Sequence, residues 1–165
     1  MTPELTALAD RYYVASQLTP PDVEAAAKAG FTLLVNNRPD DEEDDQPASA
    51  VLAGAAAKAG MAYIHIPINH LGVAPHQIAA LAQAIVNAGD DGKTLAFCMT
   101  GKRSALLWAH RQAREGVPVS EILDNSERAG FHFAHYQNAL DDWRTPDAIR
   151  SPACNDAAVG LSATA

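Results

Sequence analysis

Cysteine is scarce in this 165-residue chain, and its two copies sit in unlike surroundings. Cys98 ends an apolar run, whereas Cys154 lies in a small, polar C-terminal stretch. That pair excludes a disulfide framework as the basis of the fold. Positive charge is scarce as well: 12 Lys and Arg stand against 20 Asp and Glu, a net charge of −8. Nucleic acid and anionic membrane surfaces both demand a basic footprint, so neither is expected as a partner. No apolar run approaches the ~18 residues that cross a bilayer. The opening "MTPELTALADRYY" lacks the charged head and apolar core of a signal peptide. A cytoplasmic protein with reduced thiols is the resulting expectation. No internal repeat is visible either.

What is present is an ordinary soluble composition, 48% hydrophobic and 19% charged, in a length that suits one domain. Short apolar runs alternate with longer periodic segments. "YYVASQL" reads as a strand, and "TPPDVEAAAKAG" as a helix with Thr19 at its N-cap and Gly30 at its end. "FTLLVNN" is a strand followed by the acidic loop "RPDDEEDDQP". Residues 48 to 60 form a second helix, "MAYIHIPI" a strand, "APHQIAALAQAIVNAG" a helix and "KTLAFC" a strand. A helix from Arg103 to Gly116 follows, then helices in "VSEILDNSERAG" and "HFAHYQNALDDWR". Strands separated by helices of roughly 10–15 residues predict an α/β, three-layer fold, a mostly parallel central sheet flanked by helices. One domain is expected over residues 1–144, with a disordered tail over 145–165 that shows no periodicity.

The chemistry gathers in "LAFCMTGKRSALLW", residues 95 to 108. In parallel sheets ligands bind at the carboxyl ends of strands, beside helix N-termini, and Cys98 falls there. A loop curling after Cys98 brings backbone N–H groups, a helix N-terminus and the Arg103 guanidinium to one small volume. That field stabilises a thiolate and makes Cys98 a nucleophile. Gly101 permits the positive φ such a loop requires, and Ser104 is placed to donate a hydrogen bond to the sulfur. Met99, Thr100, Gly101 and Lys102 line the path an anion would take. "GKRS" does not complete a nucleotide-binding P-loop, because Ala96 holds its first glycine position and Arg103 its Ser/Thr position.

"CMTGKRS" resembles the "CRSGTRS"-type loop of a bacterial family known as DUF442, the beta-lactamase-hydrolase-like phosphatase-like domain, often labelled a sulfur transferase. The resemblance runs over roughly residues 10 to 143 and takes in "YYVASQLTPPDVEAAAKAGFTLLVNNRPDDEE", with its Asn-x-Arg-Pro-Asp segment. It implies a protein-tyrosine-phosphatase-like fold and a site role for Arg38. It also implies a place in sulfide or persulfide metabolism, with a persulfide dioxygenase or sulfide-oxidising enzyme as partner.

Within that resemblance, tyrosine phosphatases share a Cys-x5-Arg loop around a tetrahedral phosphate, while rhodanese-type sulfurtransferases use one residue fewer around a persulfide. Cys98 to Arg103 has the shorter spacing. Phosphatases of this kind also use an Asp to protonate the leaving oxygen, worth about 10²–10⁴ in rate. After "YIHIPI" this chain has Asn69 and His70 as the available acids, and Phe97 precedes the cysteine where phosphatases usually have His. The expectation is therefore a sulfurtransferase that moves sulfur from thiosulfate or a persulfide through a Cys98 persulfide, with no cofactor. A cysteine-dependent phosphatase is the alternative. A non-catalytic anion-binding module in sulfide-responsive regulation is the third.

Other candidates carry blander readings. "DDEEDD" reads as a solvated loop, and His65, His70 and His76 lack a metal spacing. His132 and His135 are spaced to share a helix face, but no cysteine or carboxylate pattern completes a zinc site. Trp108 and Leu107 are expected in the core, and Cys154 as a bystander thiol.

Overall fold

A computed structural model describes residues 4–89 and 91–144. The tail expected over 145–165, Cys154 included, lies outside the described residues. Twelve elements follow in chain order: β1 (Thr6–Ala9), β2 (Tyr12–Ala15), α1 (Pro20–Lys28), β3 (Phe31–Asn36), α2 (Ser49–Lys58), β4 (Ala62–His65), α3 (Pro75–Ala88), β5 (Lys93–Phe97), α4 (Lys102–Arg114), α5 (Val119–Arg128), a 3₁₀ turn (Ala134–Tyr136) and α6 (Gln137–Arg144). The sheet order is β1-β2-β5-β3-β4. Four strands run parallel, and β1 pairs antiparallel with β2 at one edge.

β5 sits at the centre, and its last four residues, Thr94 to Phe97, are all buried, as expected for a parallel strand covered on both faces. Side chains sort by alternation. Leu95, Phe97 and Leu34 face α1 and α2, packing on Val23, Ala26 and Leu52. Ala96, Leu33 and Val35 face α3 to α6, packing on Leu81, Leu107, Trp108 and Leu140. Leu107 and Trp108 are core residues, as expected. Thr19 begins α1, where the Asp22 carboxylate accepts from the Thr19 N–H at 2.8 Å and from its hydroxyl at 2.6 Å.

One strand is additional to the expected elements, and two local expectations are corrected. β1 lies in a stretch whose four residues bury Leu8 alone, too short a pattern to announce a strand. The helix expected in "HFAHYQNALDDWR" divides into the 3₁₀ turn and α6. His132 therefore precedes the turn and pairs with the Glu127 carboxylate at 2.7 Å, while His135 lies in the turn against Tyr136, so the two share no helix face. Among the described residues, no helix is long and apolar enough to cross a membrane.

The ladder continues past the strand ends, and this carries the loops to one place. Asn37 N–H donates to Phe97 O at 2.8 Å, and Gln17 N–H to Met99 O at 3.3 Å. Ile68 N–H donates to Asn37 O at 3.1 Å. The residues that follow β2, β3, β4 and β5 thus converge at the carboxyl edge of the sheet.

Candidate anion site at Cys98

β5 delivers Cys98 at that edge, with only 1% of its surface exposed, so the sulfur is enclosed by the loop and not set at an open mouth. The chain then reverses through Gly101, whose φ of +85° is left-handed. The Gly101 N–H donates to Cys98 Sγ at 3.2 Å. α4 starts at the next residue, so the positive end of its dipole falls beside the sulfur. Met99, Thr100 and Lys102 are exposed around this turn.

Arg103, in the first turn of α4, completes the electrostatics. Its Nη1 and Nη2 donate to Glu42 Oε1 at 2.5 Å and Oε2 at 2.8 Å, and Nη1 also donates to Ile68 O at 3.1 Å. Glu42, against the opposing effect of burial, raises the Arg103 pKa further, and the neighbouring Cys98 sulfur adds to that. The same Arg103 bonds hold the Glu42 carboxyl below its ordinary range; burial opposes them and Arg38 helps.

Arg38, for which the resemblance implies a site role, lies behind Glu42 as a buried ion-paired residue. Its side chain is 2% exposed, and all three guanidinium nitrogens have protein acceptors. Nε donates to Glu42 Oε2 at 2.9 Å, Nη1 to Gln17 Oε1 at 2.8 Å and Nη2 to Glu43 Oε2 at 2.7 Å. A buried guanidinium is tolerable only when its donors are met in this way. His65 Nε2 lies 2.8 Å from Arg38 O, which ties the end of β4 to the same segment.

The acidic run was expected to be a solvated loop; its residues are exposed, and two of them also pair with arginines, Glu42 with Arg38 and Arg103 and Glu43 with Arg38. A signal existed in the four-residue spacing of Arg38 and Glu42. It is informative on a helix, however, and here the segment is a loop that reverses at Asp41, φ +62°. Ser104 is wholly buried, and its hydroxyl has no hydrogen-bond partner, the Cys98 sulfur included. Asn69 Oδ1 accepts from Leu71 N–H at 2.9 Å, and both Asn69 and His70 are exposed. From that loop, it is the Ile68 carbonyl that touches Arg103. Among the described residues, no three His, Cys, Asp or Glu side chains are grouped to hold a metal ion.

Chemically, the arrangement offers a buried sulfur nucleophile with an amide donor and a guanidinium beside it, suited to an anion that reacts with sulfur. Known proteins sharpen this. A Neisseria meningitidis Z2491 protein described as a "putative phosphatase" superposes with a TM-score of 0.71 at 33% identity, covering 84% of this chain and 97% of that one. Kinase-associated phosphatase superposes with a TM-score of 0.70 over 90% of this chain and 97% of its own, at 15% identity, a likeness of fold alone. The expected protein-tyrosine-phosphatase-like α/β fold is thus present. The beta-lactamase hydrolase-like protein of Agrobacterium fabrum (strain C58 / ATCC 33970) is 32% identical over 123 residues, 74% of this chain. The chain spans only 28% of that relative's length. Residues 4–115 match the family described as beta-lactamase hydrolase-like protein, phosphatase-like domain, a span that holds Arg38, Glu42, Cys98 and Arg103, and the chain belongs to that family.

Proposed function

We propose that the protein is a cysteine-dependent phosphatase acting on phosphoric monoesters. The observation that carries this is Cys98 Sγ held by the Gly101 N–H next to the Arg103 guanidinium, in a fold shared with phosphatases. The Cys98 thiolate attacks phosphorus, an S–P bond forms as the ester P–O bond breaks, and the leaving oxygen takes up a proton. Water then cleaves the S–P bond, releasing phosphate and restoring the thiolate. The Arg103 side chain and the loop amides of Met99 to Lys102 meet the charge on the phosphoryl oxygens, and exposed Lys102 adds a cation at the entrance.

No carboxylate stands in the Asn69–His70 loop, which favours aryl esters, whose leaving oxygens are weak bases and need little protonation. Turnover of p-nitrophenyl phosphate is the test. Cys98→Ser is expected to abolish it, and Arg103→Ala to reduce it about 10²–10³-fold, the scale of losing one transition-state donor. Absence of turnover in the native protein, or turnover that survives Cys98→Ser, would sink this reading.

The four-residue spacing between Cys98 and Arg103 favours a second reading, sulfur transfer. The thiolate would attack the outer sulfur of thiosulfate, forming Cys98–S–S⁻ as sulfite leaves, and cyanide or a thiol would remove that sulfur. The comparisons lend sulfur chemistry no support. Intact mass after incubation with thiosulfate separates the two, since only this second reading expects one added sulfur on Cys98. A persulfide dioxygenase as partner belongs to this reading alone.

A further inference from the structure

We infer that Glu42 is the positioning residue of the anion site: its carboxylate, gripped from behind by buried Arg38, fixes the Arg103 guanidinium beside Cys98. The inference rests on the reading of Arg103 as the anion-binding group at Cys98, and it holds whether the anion carries phosphorus or sulfur.

The donor geometry argues for positioning and against competition. A guanidinium has five N–H groups in a rigid fork. Glu42 takes one from each of Nη1 and Nη2, and Ile68 O takes the second on Nη1. That leaves Nε–H and the remaining Nη2–H, two donors side by side along one edge of the fork. This edge is the one available to the Cys98 sulfur and to an anion bound there. Glu42 occupies the adjoining Nη1–Nη2 edge, so it orients the guanidinium without filling the anion's place.

Glu42 itself is not free to swing. Its Oε2 is shared by Arg103 Nη2 and Arg38 Nε, at 2.8 and 2.9 Å. Arg38 is pinned by two further acceptors, Gln17 and Glu43, and by burial. Two guanidiniums so close would repel without the shared carboxylate. A donor held in place before the anion arrives needs no reordering when charge develops. Because Arg103 keeps the carboxyl ionised, Glu42 serves as a fixed anion and not as a proton donor.

The test compares Cys98 alkylation by anionic iodoacetate and neutral iodoacetamide, read on the Cys98 peptide by mass spectrometry in the full-length protein. The ratio of the two rates reports how well Arg103 receives an anion and does not depend on any turnover. Glu42→Gln keeps the shape and removes the charge, and it is expected to lower the ratio about tenfold, the order of one charge-assisted contact. In an Arg103→Ala background the same substitution is expected to change the ratio less than about twofold, as coupled residues do. Should Glu42→Gln fail to fold, Glu42→Asp carries the test, with a drop of about threefold expected. A ratio that stays level, or that rises because Glu42 had been competing with the anion, overturns the inference. So does an equal loss with and without Arg103. A tenfold fall in a protein that hydrolyses no phosphate ester would uphold the positioning role while removing the phosphatase reading.

Discussion

At Gly101 two constraints meet in one residue. Its φ of +85° is a conformation other L-residues adopt at a cost of roughly 1–2 kcal/mol. An added Cβ would also lie 3.3 Å from Ala15 O and 3.5 Å from Phe131. Gly101→Ala is therefore expected to destabilise the protein by about 1–3 kcal/mol in urea unfolding and to slow Cys98 alkylation as the amide shifts. An unchanged alkylation rate would show that the Gly101 N–H does not govern the sulfur. Ser104 makes the opposite case. Its buried hydroxyl has no partner, so Ser104→Ala is expected to leave stability unchanged or raise it by up to about 1 kcal/mol. A loss of turnover alongside intact stability would place the hydroxyl in the chemistry; a clear loss of stability would mean it has a partner in the folded protein. Residue types at these positions were readable from "CMTGKRS". The hydroxyl's orphan state was not, since it depends on what packs over α4.

Elements earn their positions unequally. α1 is held at its start by one carboxylate that takes both Thr19 donors, so Asp22→Ala should lower stability by about 1 kcal/mol, seen as a reduced thermal midpoint. α4 does two jobs, carrying Arg103 in its first turn and burying Leu107 and Trp108 in the larger core. Trp108→Ala is expected to cost about 3–5 kcal/mol in urea unfolding, a large part of the ~5–15 kcal/mol that holds a typical domain. A cost under about 1 kcal/mol would mean the helix can repack around the gap. Most elements could be anticipated because their apolar periods run for several residues. β1 could not, because a four-residue edge strand with one buried side chain has too little pattern to detect. The pairing of the acidic loop with Arg103 was likewise hidden, since it joins residues 61 positions apart.

For the whole molecule, pH should act through groups whose charges differ between the folded and unfolded chain. Burial, partly offset by the Leu106 carbonyl, pushes His110 below its ordinary 6.5. The unfolded chain therefore takes up that proton first as pH falls, and stability declines below 6.5 until the folded value is passed. Glu42 also has its folded value lowered, beneath the ordinary 4.5. Its contribution is present above 4.5 and is lost as pH falls through the folded value, so both groups make acid destabilising. Urea midpoints should fall between about pH 7 and pH 5, and His110→Asn should flatten that slope whatever its effect on stability at pH 7. A midpoint that rises on acidification, or a slope untouched by His110→Asn, would contradict the assignment.

Chain order, layer composition and the cysteine with its glycine and cation were determined locally, by periods of two and 3.6 residues and by a seven-residue loop. Those signals are local because a helix, a strand end and the turn between them are set by neighbours a few positions away. The partners of the cation were decided only by the fold. Parallel pairing of β3 with β5 carries Asn37 onto Phe97 and brings Glu42, held by Arg38, within hydrogen-bond reach of Arg103, 61 positions further along the chain. An arginine so close to a second arginine must find a shared carboxylate or remain repelled and unsatisfied. That requirement comes into being only when the sheet closes, which is why two carboxylates of an exposed acidic run also pair with arginines.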